Sequence, residues 1–283
     1  MNVTERHTLK IAILDLYEGV ANQGMRCIRE ILNQYGDQNN LDVSWDEFDV
    51  RQKNEVPDLS YNIFISSGGP GSPLDSEGSD WENVYFNWLS KIEKWNNNEA
   101  NIEKKYIFFI CHSFQLACRY FSVGNLCKRK STAFGVFPIH LLKDGKDESV
   151  FNHMKDPFYA VDSRDYQVIE PNHNQLHSIG ATILAIEKER PHIILERAIM
   201  AVRFNEYMVG TQFHPEADAV GMSLHLQTEE KKKTVIENYG LEKWESMIKQ
   251  LNDPDKIMLT YANILPNFLE TAINSFNIYS IAI

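Results

Sequence analysis

The stretch Tyr106-Ile107-Phe108-Phe109-Ile110-Cys111-His112-Ser113-Phe114-Gln115, continuing through Leu116-Ala117-Cys118-Arg119-Tyr120-Phe121, decides how this chain is read. Tyr106 to Ile110 is an unbroken apolar run rich in aromatic and β-branched residues. It predicts a short strand buried on both faces, as in a parallel sheet. Gln115 to Phe121 reads as a helix, and Cys111 stands at the junction. A strand that ends on a nucleophile and turns straight into a helix is how an α/β enzyme exposes a reactive side chain. The helix N-terminus adds a partial positive charge that favours a thiolate. Cys118 and Cys127 lack that placement and read as inert.

The pattern repeats on both sides. Lys10 to Leu16 is a continuous apolar strand, followed by a loop with Gly19, Asn22 and Gly24. Met25 to Tyr35 has helical spacing and is expected to stop at Gly36. Val43 to Phe48 and Tyr61 to Ser66 are the next strands, and Trp81 to Trp95 is an amphipathic helix. This βαβ alternation predicts a doubly wound, mostly parallel sheet with helices on both faces. The middle changes character. Ser131–Leu142, Phe158–Ile169, Ala181–Ile186, Ile193–Val202 and Met208–Phe213 read as strands of an antiparallel or mixed section that returns to the main sheet. Helices are expected over Met222–Tyr239, Leu241–Leu251 and Asp255–Ser275. The chain is thus divided into a domain over 1–220 and a helical extension over 221–283, expected to cover one edge of the sheet. A role for the extension as a dimer or acceptor-enzyme surface is the other reading.

Two further segments carry chemistry. In Tyr207-Met208-Val209-Gly210-Thr211-Gln212-Phe213-His214-Pro215-Glu216, the residue before proline is biased to extended backbone. There, positions i and i+2 share a side. Glu216 is therefore expected to reach one ring nitrogen of His214 and leave the other for a thiol. An isolated His-Pro-Glu would read as a structural turn; with Cys111 upstream, Cys, His and an acid point to covalent catalysis by a thiolate. Ser67-Gly68-Gly69-Pro70-Gly71 follows a strand, and its adjacent glycines let backbone N–H groups turn toward an oxyanion. The spacing is not that of a nucleotide P-loop.

Composition narrows the class. Acidic residues number 39 against 28 basic, a formal net charge of −11, which argues against nucleic acid as a partner. The basic runs Lys128-Arg129-Lys130 and Lys231-Lys232-Lys233 read as solvated surface. The four cysteines form no CxxC pair and no zinc spacing, so neither a metal nor a disulfide framework is expected. Met1 to Lys10 is polar, and no apolar stretch approaches the roughly 18 residues of a membrane span. A cytoplasmic protein that does not engage the membrane is the expectation. His173, His177 and His192 read as loop or strand histidines without a role.

Taken in order, the glycine loop, the cysteine elbow and the closing Gly210–Glu216 motif resemble the class I, triad-type glutamine amidotransferases over about residues 10 to 220. The resemblance implies a flavodoxin-like fold, with Cys111 as nucleophile, His214 as base and Glu216 as its orienting acid. It implies an oxyanion hole from the backbone N–H groups of Gly69 and His112, with Gly68 and Gln115 at the glutamine site, and no cofactor. The elbow, Gly-x-Cys-x-Gly-x-Gln in the family, reads Phe109-Ile110-Cys111-His112-Ser113-Phe114-Gln115, so both glycines are replaced. Phe109 is expected to press on the elbow or the glutamine pocket. His112 is read as a polar first-turn residue. The family's Ser-His-x-Asp region is matched only loosely, by Ser163-Arg164-Asp165-Tyr166. The chain resembles stand-alone, GMP-synthase-like members without a synthetase domain. The implied activity is cleavage of the glutamine side-chain amide through a γ-glutamyl thioester, with ammonia released to an acceptor enzyme in trans. A γ-glutamyl peptide hydrolase and a catalytically silent binding module of the same fold are the alternatives.

Overall fold

A computed structural model describes residues 8–253 and 256–281. The N-terminal reading of residues 1–7 and the helix start at Asp255 lie outside the described residues. In chain order the elements begin with strand β1 (Thr8–Asp15), helix α1 (Gln23–Asn39), β2 (Asp42–Asp49), the single turn α2 (Val50–Lys53), β3 (Ile63–Ser66), α3 (Asp80–Asn97), β4 (Tyr106–Ile110) and α4 (His112–Tyr120). The middle holds β5 (Asn125–Leu141), α5 (Lys143–Lys146), a 3-10 turn over Ser149–Phe151, β6 (Phe158–Ile169), α6 (His173–Ile179), β7 (Thr182–Glu187), β8 (Ile199–Asn205) and β9 (Met208–Thr211). Four helices follow: α7 (Ala219–Leu226), α8 (Glu229–Tyr239), α9 (Leu241–Leu251) and α10 (Ile257–Ile281).

The strands form one sheet in the order β2-β1-β3-β4-β9-β8-β7-β5-β6. The pairs from β2 to β9 are parallel, and those from β9 to β6 are antiparallel. This is the mixed α/β architecture with a parallel half that the alternation implied. Strands β3 and β4 are buried along their whole length, which is why they read as unbroken apolar runs. β2 lies at the edge, and its half-exposed, charge-rich sequence suits an edge that must not pair further.

Residues alternate between two cores. Ile11, Ile13, Ile65 and Phe108 face α1 and α10 on one side of the sheet. Ala12, Leu14, Phe64 and Phe109 face α3 and α4 on the other. A third cluster joins α7, α8 and α9 to Val136 of β5 and Val161 of β6.

Several boundaries differ from the sequence reading. Gly36 does not stop α1. The helix runs on to Asn39, where Asn40 takes the left-handed conformation that ends it. Gly36 instead permits close packing, since a Cβ there would lie 3.1 Å from Val43 Cγ2. β5 begins at Asn125, well before Ser131, because its register with β6 breaks between Lys128 and Ala133 and resumes beyond. That break turns Arg129 inward, where its side chain is 5% exposed and pairs with Glu187 at 2.9 Å. Arg129 is therefore not solvated surface. β8 starts at Ile199 rather than Ile193, and His173 and His177 lie on helix α6. Helix α7 already starts at Ala219, and it is a separate helix from α8.

Helix α10 belongs to the main core. Its Ile264, Leu265, Phe268 and Leu269 are buried, and Phe268 meets Phe108 edge-on at 5.3 Å between ring centres. A chain ending before Ile257 would expose the part of that face that α10 covers. Its expected outcome is insoluble protein on expression; a soluble, cooperatively melting truncation would contradict the placement.

Candidate functional site

The site lies at the carboxyl ends of the parallel strands β1, β3, β4 and β9, where α/β sheets bind ligands. Cys111 follows β4 directly and takes φ 48°, ψ −97°. A side chain with φ > 0 is held there only when its surroundings over-determine it. The Cys111 N–H donates to Thr211 O at 2.8 Å, and the Gln115 N–H returns to Cys111 O at 3.0 Å.

Ser113 occupies the second glycine position of the elbow and ties it down. Its Oγ accepts from the Ile110 N–H at 2.9 Å and donates to Ser66 O at 2.7 Å. Phe109, at the first glycine position, does not press on the site. Its ring points to the opposite face of the sheet and meets Phe204 edge-on at 5.7 Å. The space it needs comes from Gly210 on the neighbouring strand, where a Cβ would lie 2.9 Å from Phe109 Cβ and 3.0 Å from Phe109 O.

The structure brings Cys111, His214 and Glu216 together. His214 follows β9 and is held by its N–H donating to Val161 O at 2.8 Å. Its Nδ1 lies 2.8 Å from Glu216 Oε1, and Cys111 is close enough to act on the same ring electrostatically. Burial disfavours charge on His214, yet the Glu216 carboxylate and the Cys111 sulfur outweigh it and raise the imidazole well above its ordinary value. Glu216 is 1% exposed, so its attraction acts through little water. Such a set can hold an imidazolium beside a sulfur nucleophile and pass its proton to a leaving group.

The other expected residues divide. Gly69, His112 and Gln115 line the cleft in front of Cys111. Gly69 has no room for a side chain, because a Cβ would come 2.3 Å from Leu16 O. The His112 N–H is the first of α4, a position without an intrahelical acceptor. The His112 side chain is not a solvated first-turn group. It is 2% exposed, and burial, then Arg51 and Arg119, push it down to about 3, so it is neutral. Gly68 does not line the cleft. It packs against His214 and Tyr17, where a Cβ would meet His214 Cε1 at 2.9 Å and Tyr17 Oη at 3.2 Å. Gln115 is tied by its Nε2 to Gln212 Oε1 at 2.9 Å and to Tyr166 O at 3.2 Å.

Ser163, Arg164, Asp165 and Tyr166 line the same cleft from β6. Ser163 O lies 3.8 Å from Cys111 Sγ. Asp165 is engaged by the Thr132 hydroxyl. Arg164 turns into a buried ion cluster with Asp162 and Glu187.

Sequence reasoning missed Gln212, Tyr17 and Arg51. Gln212 Nε2 lies 3.6 Å from Cys111 Sγ. Its place inside the Gly210–Glu216 motif was the available signal. Tyr17 follows β1 at the carboxyl edge of the sheet, and burial, then Glu216, raise its hydroxyl well above the ordinary value. Arg51 holds the glycine loop, its Nη1 donating to Pro70 O at 2.7 Å and Leu16 O at 3.3 Å. Nothing local in the sequence marks it.

The cleft has a volume of about 620 Å3. Its inner end holds Cys111, His214 and Glu216, and its outer wall comes from β5 and from α7, α8 and α9. Among the described residues no helix is long and apolar enough to cross a membrane.

A family model, glutamine amidotransferase class-I, matches residues 19–227. No curated protein matches the sequence. Among solved structures, a glutamine amidotransferase from Thermotoga maritima aligns with a TM-score of 0.66 at 16% identity, covering 95% of this chain and 99% of that one. A glutamine amido transferase from Methylobacillus flagellatus aligns with a TM-score of 0.58 at 10% identity, covering 95% of each chain. The glutaminase domain of Trypanosoma brucei CTPS, with bound acivicin, gives 0.55 at 14% identity and 94% of each chain. At these identities the likeness is one of fold.

Proposed function

The chain belongs to the class-I glutamine amidotransferase family, and from that premise we propose that it cleaves the γ-amide of a glutamyl substrate through a thioester on Cys111. The observation that carries the proposal is the Cys111–His214–Glu216 constellation at the mouth of a strained elbow. Cys111 Sγ attacks the γ-carbonyl carbon. The oxygen gains negative charge and is met by the backbone N–H groups of Gly69 and His112. His214 gives its proton to the leaving nitrogen and the C–N bond breaks. Water, deprotonated by His214, then cleaves the thioester and releases glutamate. Glu216 fixes the ring tautomer and favours the imidazolium. With glutamine the released amine is ammonia, and an acceptor enzyme in trans would make the reaction an amidotransfer.

The test is glutamate release from glutamine together with mass-spectrometric detection of an acivicin adduct on Cys111. Absence of both would sink the proposal.

The pH profile carries a second expectation. The general acid is protonated His214, and its raised value keeps it protonated above the ordinary 6.5. The alkaline limb of kcat/KM is therefore expected well above that pH. Glu216→Gln removes an attraction that raises the imidazole, so the limb moves to lower pH. The linked stability has the same sign. It is fully present below about 6.5 and is lost as pH rises through the folded value. A pH–rate profile with an unmoved alkaline limb in Glu216→Gln would contradict the role given to Glu216.

A further inference from the structure

We infer that the outer part of the cleft is a subsite for an apolar amine, so that the preferred substrate is a γ-glutamyl amide whose nitrogen carries an aromatic or large aliphatic group. The inference rests on the thioester chemistry proposed above and names its leaving group.

The volume is the first reason. At about 620 Å3 the cleft is that of a site for a drug-sized molecule. Free glutamine, whose leaving group is ammonia, needs only the inner end beside Cys111. The wall is the second reason. In the lining of the same cleft, Phe134 of β5 stacks on Tyr239 of α8 at 5.0 Å and 20° between rings. Met222 of α7 continues that apolar part of the wall, backed by the buried Leu226 and Met247, and Lys231, Thr234 and Asn238 of α8 stand beside it. An apolar wall gives ammonia nothing to bind, whereas it removes the surface of an apolar amine from water.

The third reason is that the wall is held in place. The interruption of β5 between Lys128 and Ala133 precedes Phe134. Gly135 follows at φ +142°, where a Cβ would come 2.8 Å from Lys243 Nζ. The three helices that close the wall pack on β5 and β6 through their own apolar cluster. They are thereby fixed along the cleft.

The chemistry balances without a co-reactant. The Cys111 Sγ–carbon bond forms as the carbon–nitrogen bond breaks. The His214 proton goes to the departing nitrogen, and the free amine R–NH2 sits against Phe134 and Tyr239. Water supplies the oxygen and proton that release glutamate and regenerate the thiolate–imidazolium pair.

The experiment measures glutamate release from glutamine, γ-glutamyl-glycine and γ-glutamyl-phenylalanine, with wild type and Thr234→Trp. Thr234 lines the cleft from an exposed position on α8, so the indole fills the outer part without entering a core. Wild-type kcat/KM for γ-glutamyl-phenylalanine is expected at least about tenfold above that for glutamine, the scale on which one apolar pocket discriminates. Thr234→Trp is expected to lower that ratio by about tenfold. Equal kcat/KM for the three compounds, or a Thr234→Trp effect equal on all, overturns the inference. Acivicin labelling of Cys111, run in parallel, separates the two failures. An adduct without the preference overturns this inference alone. No adduct and no turnover overturns the thioester chemistry and the inference with it.

Discussion

Cys111→Ala is expected to lose glutamate release by at least about 10,000-fold, with no acivicin adduct and an unchanged fold. The size follows from the role proposed for the thiol. Without Sγ no covalent intermediate forms, and the remaining groups can only orient water. Binding and the backbone N–H groups of Gly69 and His112 would leave a small residual rate. Alanine is the right probe because it keeps the Cβ at φ 48° and so leaves the elbow backbone as it is. The fold is expected to persist because the elbow is held by other groups: the Ser113 Oγ bonds to Ile110 and Ser66, and the Cys111 N–H bond to Thr211. Steady-state assay and thermal melting of the same preparation check both halves. A variant that melts like wild type and keeps turnover would move the chemistry away from Cys111 and favour a silent module of the same fold.

The second large effect is on stability. Arg164→Met is expected to cost about 3–5 kcal/mol, the usual cost of leaving one member of a buried ion pair alone. Arg164 is 1% exposed in its side chain and donates Nε to both oxygens of Asp162, at 2.9 and 3.1 Å. Asp162 is 3% exposed and is left without its partner in a dry site when the guanidinium is gone. Glu187 loses a neighbour as well. Burial alone would raise its carboxyl, but Arg164 and Arg129 together hold it below the ordinary 4.5. That contribution to stability is present above about pH 4.5 and is lost as pH falls through the lowered folded value. Urea midpoints at neutral pH measure the loss. The double variant Arg164→Met, Asp162→Asn is expected to recover part of it, because the stranded charge is removed. A single variant as stable as wild type would show that water reaches the cluster. The same cluster shapes the site, since Arg164 Nη1 donates to Tyr166 O, which also accepts from Gln115.

Much of the parallel half was legible because its signals are local. A strand such as Ile107 to Ile110 carries its burial in its own composition. The helix over Met25 to Tyr35 carries its own 3.6-residue apolar spacing. His214 and Glu216 could be paired from a two-residue spacing and a proline. The errors fell where one residue's fate depends on a distant one. Phe109 reads as an obstacle until Gly210, on another strand, is seen to vacate its space. Arg129 reads as surface until a register break turns it toward Glu187. Gly36 reads as a stop, though its role is to admit the side chain of Val43.

The sequence by itself determined the alternation of strands and helices, the elbow at Cys111 and the pairing of His214 with Glu216. Each of these is written in residues within about one helical turn of each other, at the periods of 2.0 and 3.6 that backbone geometry imposes. Only the tertiary structure decided the rest. It set Gln212 beside Cys111, 101 residues away in the chain. It buried Arg164 against Glu187, and it brought Phe134 and the helices α7 to α9 to the cleft that Cys111 lines. No periodicity records such meetings, because they arise from the order in which the strands pair and the faces on which the helices pack.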